Sequence, residues 1–503
     1  MSEEFYGIDL GTTYSCIAII GEDDIVNVIS NPKGDLTTPS VVALDDKGKW
    51  IVGKAAKSKL GSDPDNVVAF IKREMSNADF KCKLQGKEFT PVDISSQILK
   101  HLVDFANKKR VDEDGKQPIK DVVITVPAYF GKLERDRTKE AGEKVGLNVL
   151  QLVNEPTAAA LSYGRSQKGD KILLVYDLGG GTFDVSIMKF ENHIADVLST
   201  RGDHHLGGAD WDRAIVNYAL EEIGAKWEDL DKATQGMLMN AAEETKKIIS
   251  DPDEEESVLT FNYNGVRNVT IRRSDFEART ASLMQRTKGY VQEALDAAGM
   301  QPFDIDEVIL VGGSSRMPMV LKMVESLFPD SEVKVVDPDR AVAKGAALTA
   351  KQKAKEEEGD TSERKVGGVK LGKDKGSRAY GIKVWEGGDK YYVQNLITLN
   401  DDLKIHKVFD DFVTSENGQT AIEMHFYESE SEYEVMDVDP TLEIPAKGND
   451  QVVNWGVPKP KNTPIQVIVD RNESGEVKMM VSCAGASKEF IMDTERKGKI
   501  QRR

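Results

Sequence analysis

Apolar and polar positions fall into blocks along this chain, and the clearest block runs from Lys171 to Phe190. Two apolar, β-branched runs, Ile172 to Tyr176 and Phe183 to Ile187, flank Asp177-Leu178-Gly179-Gly180-Gly181-Thr182. That pattern predicts a buried strand, a glycine turn and a returning strand. Tyr6 to Cys16 repeats it, with Asp9-Leu10-Gly11-Thr12-Thr13-Tyr14 at the turn. Further strands are expected over Ile25 to Ile29, Ser40 to Leu44, Asp121 to Val126 and Val308 to Val311. Helical spacing predicts helices over Ser95 to Lys109, where Ile98, Leu102 and Phe105 share a face, and over Glu134 to Lys144. Others are expected over Ala158 to Tyr163, Arg213 to Ile223, Asn240 to Ser250 and Met319 to Leu327. Ala341 to Ala350 is a small-residue helix able to pack closely, and Val67 to Arg73 reads as the start of a helix.

The pattern changes at Lys351. Residues 1–354 mix strands and helices, whereas 355–377 are charged and glycine-rich, as in an exposed linker. Residues 378–493 read as β throughout: Ile422 to Phe426 alternates, and so does Val477 to Val481. The expected architecture is α/β followed by a compact all-β sandwich, with a basic tail over 494–503.

The totals narrow the function. The chain has 503 residues, enough for two or three core-bearing units, and a net charge of −18. Such acidity argues against nucleic acid or an anionic membrane as the main partner. No run is long enough to span a bilayer, and no signal segment is seen at Met1-Ser2-Glu3-Glu4. The three cysteines lie far apart, which fits a reducing cytoplasm.

The candidate chemistry sits at the glycine turns. Three consecutive glycines let backbone N–H groups approach an anion, and Asp177 and Asp184 place carboxylates beside it. Acid next to phosphate is repulsive unless a hydrated divalent cation lies between, so the motif implies a metal–nucleotide. Two such hairpins suggest two lobes closing on one polyphosphate. Lys72 is either a solvated lysine or a cation reaching the terminal phosphate. Glu155, beside a helix start, is either a dipole charge or a neighbour of the metal. Glu243, Lys246, Lys247 and Ser250 share one helical face that either meets water or lines a base site. Gly312-Gly313-Ser314-Ser315-Arg316 follows a strand end, where ligands gather.

Together with Val126-Pro127-Ala128-Tyr129-Phe130 and Asn154-Glu155-Pro156-Thr157-Ala158-Ala159, these motifs resemble those of the DnaK-type seventy-kilodalton heat-shock chaperones. The resemblance implies an actin-like, two-lobed ATPase domain followed by a β-sandwich substrate domain. It implies slow hydrolysis of ATP to ADP with Mg²⁺, and K⁺ as a further cation. Asp9 and Asp177 would orient Mg²⁺ through water, with Asp184 and Glu155 nearby, and Lys72 and Thr182 would serve hydrolysis. Gly11, Thr12, Thr13, Tyr14, Gly179, Gly180, Gly181, Gly207 and Gly208 would hold phosphates. Glu243, Lys246, Lys247, Ser250, Gly312, Gly313, Ser314, Arg316 and Asp337 would complete the nucleotide contacts. Pro127 and Arg135 would relay nucleotide state. Ile382, Phe412, Ile422 and Met424 are candidates for a peptide cleft, although core residues share their pattern. The implied partners are unfolded or apolar protein segments, J-domain proteins and nucleotide-exchange factors, with a monomeric, cytoplasmic chain.

The departures from the family pattern are specific. The linker Val366-Gly367-Gly368-Val369-Lys370-Leu371-Gly372-Lys373 has little apolar surface with which to dock. Gln151 replaces the usual arginine, Gly131-Lys132 the usual Asn-Asp, and Ala209 the usual glutamate. No helical lid follows the β segment, so the expectation is a lidless member. A nucleotide-gated scaffold for one partner is the second reading, and a small-molecule kinase the third.

Overall fold

The computed structural model describes all residues except 1–3, 22, 78, 165–168, 192–193, 358–369, 377, 400, 448–449, 473–474 and 493–503. The chain divides into two compact units, one of Met1–Ala128 with Arg137–Gly372, the other of Tyr129–Asp136 with Lys373 onward.

The first unit is built on two six-stranded sheets of similar plan. In one, Phe5–Asp9 pairs parallel with Asp121–Val126 and antiparallel with Tyr14–Ile20. In the other, Lys171–Leu178 pairs parallel with Glu307–Val311 and antiparallel with Phe183–Glu191. Both glycine turns therefore leave the C-terminal end of a central strand, the end at which α/β sheets bind ligands. Small residues set the packing beneath. A Cβ on Gly7 would lie 2.0 Å from the backbone N of Ala347, and one on Gly345 would lie 1.8 Å from the carbonyl O of Ala158. The Ala341–Glu357 helix thus packs backbone to backbone on the first sheet and on the Glu155–Gly164 helix, as its small residues predict. Trp211, Tyr176 and Phe183 are fully buried in the core under the second sheet.

In the second unit, Ala379–Gly387 lies at the centre of a five-stranded sheet. Ile405–Val413, Pro464–Arg471, Val477–Cys483 and Ala486–Ile491 form a four-stranded sheet in that order, and Gln419–Glu423 pairs with Val452–Lys459. The alternation seen in the sequence is explained by burial: Val477, Met479, Val481 and Cys483 face the core. Ile422 to Phe426 is not one strand, because one ends at Glu423 and the next begins at Phe426.

Several elements depart from the sequence reading. Val67 to Arg73 is not a helix start. Val67–Val68 is a short strand, Phe70 takes φ 59°, and a 3₁₀ turn follows over Ile71–Glu74. A β-branched pair followed by a left-handed residue cannot propagate a helix. The Gly208–Glu222 helix starts inside the third glycine turn rather than after it, and the Glu155–Gly164 helix starts at Glu155 itself. The Ala341–Glu357 helix runs into the segment read as linker, and Lys370–Leu371 pairs parallel with Ile194 and Ala195 as an edge strand. Residues 366–369 of the linker and the basic tail lie outside the described residues. Ile194–Asp203, the Glu256–Asn262 and Val266–Arg272 hairpin and the Ala281–Ala298 helix carry no motif and were not anticipated. Among the described residues no helix is long and apolar enough to cross a membrane.

Candidate nucleotide site

The glycine turns of the first unit meet one another. Gly179 N–H donates to Thr182 O at 3.0 Å, closing the second turn. A Cβ on Gly180 would lie 2.1 Å from Thr13 Oγ1, and one on Gly181 would lie 2.2 Å from Thr12 Cγ2. The third turn is stitched to the second: Gly208 N–H donates to Gly179 O at 2.9 Å and Ala209 N–H to Gly180 O at 2.8 Å. Gly207 packs against the Gly181 backbone, where a Cβ would come within 2.5 Å. Behind the first turn, Gly11 N–H donates to Ser15 Oγ at 3.1 Å and Ser40 Oγ donates to Gly11 O at 2.7 Å. Thr12, Thr13 and the residues from Gly179 to Thr182 thus converge, presenting backbone N–H groups and hydroxyls where an anion can be held.

Beside the turns lies a cluster of buried acid. Glu155 is 7% exposed, Asp177 6% and Asp184 1%. Lys72 is 5% exposed and forms an ion pair with Glu155, so the lone-lysine reading fails. Thr125 Oγ1 donates to Asp9 Oδ1 at 3.3 Å, and Ala128 N–H donates to Asp184 Oδ1 at 2.9 Å. Burial and the neighbouring Glu155 push the Asp9 carboxyl up to about 7, against the pull of Lys72. Burial, then Glu155 and Asp9, push Asp177 well above the usual carboxylate range. Asp184 is raised for the same reasons, with Asp177 as its second acidic neighbour. Four carboxyls therefore share one lysine, and the cluster is short of positive charge. Among the described residues no three His, Cys, Asp or Glu side chains are placed to ligate a metal directly. The donor set suits a hydrated divalent cation, which would be held through its waters.

A cavity of about 320 Å³ is lined by Lys246, Lys247, Ser250, Gly313, Ser314 and Arg316, together with Asp251, Pro252 and Met317. Two segments read separately from the sequence thus form one pocket. Lys246 fixes it to the glycine turns, donating to Gly208 O at 2.8 Å and pairing with Asp212 at 2.7 Å. Gly312 takes φ 77°, and a Cβ there would lie 2.4 Å from Leu178 O. Arg316 pairs with Asp339. Asp337 does not line this cavity: its carboxylate is held by Arg340 and Lys344, each at 2.5 Å. Glu243 lies outside it too and faces the first hairpin. Tyr14 OH donates to Glu243 Oε1 at 3.0 Å, and Lys57 and Lys247 both pair with the carboxylate. Burial alone would raise the Glu243 carboxyl, yet the two lysines outweigh it and hold it at about 2.

Three residues of the site were missed from the sequence. Arg73 Nε donates to Gly181 O at 2.9 Å while its Nη2 pairs with Asp210 at 2.7 Å. Lys57 and Asp212 bracket the Lys232–Ile249 helix. Only adjacency to Lys72 could have signalled Arg73; Lys57 and Asp212 carry no local signal.

In the second unit, Ile382 and Met424 are buried in the core cluster, with Phe412 and Ile422 partly buried against it. Arg135 Nε donates to Phe130 O at 2.9 Å.

A family model described as Hsp70 protein matches residues 5–440. The chain is 38% identical over 502 residues to the chaperone protein DnaK of Thermosipho melanesiensis, covering 97% of this chain and 80% of that protein. It is 38% identical to the DnaK of Thermotoga petrophila, covering 97% of this chain and 79% of the relative. To the DnaK of Halobacterium salinarum it is 43% identical over 355 residues, 69% of this chain and 55% of that protein. With a site assembled from the same motifs and a match that runs through most of its length, the chain belongs to the Hsp70 family.

Proposed function

We propose that this chain is an ATP-dependent chaperone of the Hsp70 type. Hydrolysis of ATP to ADP and phosphate in its first unit controls how its second unit holds exposed apolar segments of unfolded proteins. The observation that carries the reading is the convergence of two glycine turns, a buried carboxylate cluster with Lys72, and a polar base cavity. In this reading the first unit is an actin-like pair of lobes and the second a β-sandwich.

Asp9 and Asp177 would hold Mg²⁺ through water, with Asp184 and Glu155 beside them; when bound, the cation neutralises charge on the phosphates. Thr12, Thr13, Tyr14, Gly179 to Thr182, Gly207 and Gly208 hold the phosphate chain. Lys72, kept in place by Glu155, stabilises charge on the terminal phosphate and orients the attacking water. Lys246, Lys247, Ser250 and Arg316 receive the adenosine. Turnover is slow and regulatory, with K⁺ as a further cation and J-domain and exchange proteins as partners of a monomeric, cytoplasmic chain. The peptide site is built around Phe412 and Ile422, which border the core that holds Ile382 and Met424.

The test combines phosphate release under MgATP with the anisotropy of a labelled unfolded peptide. The reading expects slow hydrolysis and a peptide affinity that changes between ATP and ADP. ATP consumption that transfers the phosphoryl group to a small-molecule hydroxyl instead of releasing phosphate, or peptide binding indifferent to nucleotide, would overturn it.

A further inference from the structure

A second cavity, of about 280 Å³, lies in the first unit beside the phosphate turns. It shares Thr12, Thr13 and Glu243 with the proposed nucleotide contacts, but its apolar lining has no role above. One wall is apolar and carries Val41, Leu60, Phe70, Trp227 and Met239. The inner end is polar, with Thr12, Thr13, Lys57, Asp212 and Glu243. Its charges are already matched, because Lys57 pairs with Glu243 and Lys246 with Asp212. The charged lining is thus neutral overall, with the Asp212 and Glu243 carboxylates among its acceptors. The Arg213 guanidinium covers one face of the Trp227 ring at 3.7 Å, which holds the indole as a flat wall. A small apolar cavity with a few convergent polar groups is the usual form of a small-molecule site.

The roof closes tightly. A Cβ on Gly236 would lie 2.4 Å from Leu60 O, and one on Gly61 would lie 2.5 Å from Met237 Cγ. Lys232 pairs with Asp65 across the same seam. The Lys232–Ile249 helix and residues 59–66 thus border the cavity together. That helix also carries Lys246, Lys247 and Ser250 of the base cavity. The apolar lining also includes Phe70 at φ 59°, two residues before Lys72. Whatever fills the cavity meets both the helix of the base pocket and the strained turn that carries Lys72.

We propose that this cavity is a binding site for a neutral, planar, one- or two-ring aromatic molecule bearing a hydrogen-bond donor, and that its occupancy holds the nucleotide cleft closed. The ring would stack on Trp227 and Met239, with the donor directed at Asp212 and Glu243. Coupling is reciprocal: a molecule that favours the closed cleft slows ADP release, and bound ADP tightens the molecule. The coupling rests on the nucleotide reading above; the cavity does not.

The test uses the full chain with 2-naphthol as probe, followed by ligand-observed NMR with and without saturating MgADP. Met239→Trp fills the cavity, and Trp227→Ala removes its flat wall. The proposal expects saturable binding to the native chain, tighter with MgADP, weakened about tenfold or more in both variants. ADP affinity in the variants should stay within about twofold, which shows that they are folded. 2-Naphthol should slow ADP release severalfold in the native chain alone. Equal binding to all three chains, or displacement of 2-naphthol by MgADP, would overturn the site. Variant-sensitive binding with unchanged ADP release would overturn the closure. A native chain that binds 2-naphthol but no ADP would leave the site standing and sink the nucleotide reading instead.

Discussion

Gly180 and Thr13 belong to different hairpins of different sheets, yet they approach so closely that a Cβ on the glycine would overlap the threonine side chain. The two glycine turns are therefore one composite surface, and its glycines are required by the neighbouring turn. Gly180→Val should force the turns apart. Nucleotide affinity, measured by calorimetry with MgADP, should fall by about tenfold or more. Far-ultraviolet circular dichroism should be unchanged. Unaltered affinity would mean that the turns do not act together.

Glu243 gives a pH-resolved test of the link between the first hairpin and the Lys232–Ile249 helix. Its folded carboxyl is held at about 2, below its ordinary 4.5. A depressed carboxylate contributes stability that is fully present above about pH 4.5 and is lost as pH falls through about 2. The buried Asp9, Asp177 and Asp184 act in the opposite sense, so the variant must be compared with the native chain at each pH. Glu243→Gln should lower the melting temperature at pH 7, and the difference should shrink as pH falls below about 4.5. A difference that persists unchanged to pH 2.5 would count against the Lys57 and Lys247 pairings.

The linker adds a strand, Lys370–Leu371, to the edge of the second sheet. Gly372 N–H donates to Ala195 O at 2.9 Å, and a Cβ on Gly372 would lie 2.0 Å from Asp196 Oδ1. Gly372→Val should undo this pairing. Hydrogen exchange across residues 370–372 should then rise from protected to the rate of open chain. Equal protection in both chains would show that the strand tolerates a side chain.

Phe412 and Met424 distinguish the proposed peptide site from the core. Met424 is 4% exposed, so Met424→Asp should destabilise the second unit by more than about 2 kcal/mol. Phe412 is only partly buried, and Phe412→Asp should leave the unit folded while abolishing binding of a short apolar peptide. Native peptide affinity in Phe412→Asp would place the site elsewhere.

Much of this was legible in the sequence for identifiable reasons. The two hairpins were readable because buried central strands are continuous apolar runs and their turns must be glycine. Lys246, Ser250, Ser314 and Arg316 could be named from helical spacing and a strand end, but only the fold shows that they share one cavity. The apolar-then-basic run Val67 to Arg73 predicts a helix at Lys72; the left-handed Phe70 that breaks it leaves no trace in residue type. Arg73 and Lys57 act through partners more than a hundred residues away, and Asp212 through Lys246 on the next helix, and local pattern carries neither. The linker was judged by apolar content, whereas strand addition needs only backbone and the space that Gly372 leaves.

Buried Lys72, held by Glu155, is proposed to act on the terminal phosphate while the turns and the Lys246–Arg316 cavity hold the nucleotide. The decisive measurement is single-turnover hydrolysis of ATP by Lys72→Ala, with MgATP affinity measured separately on the same protein. Hydrolysis should slow by about 10²-fold or more, with affinity close to native. Native turnover in Lys72→Ala would contradict it.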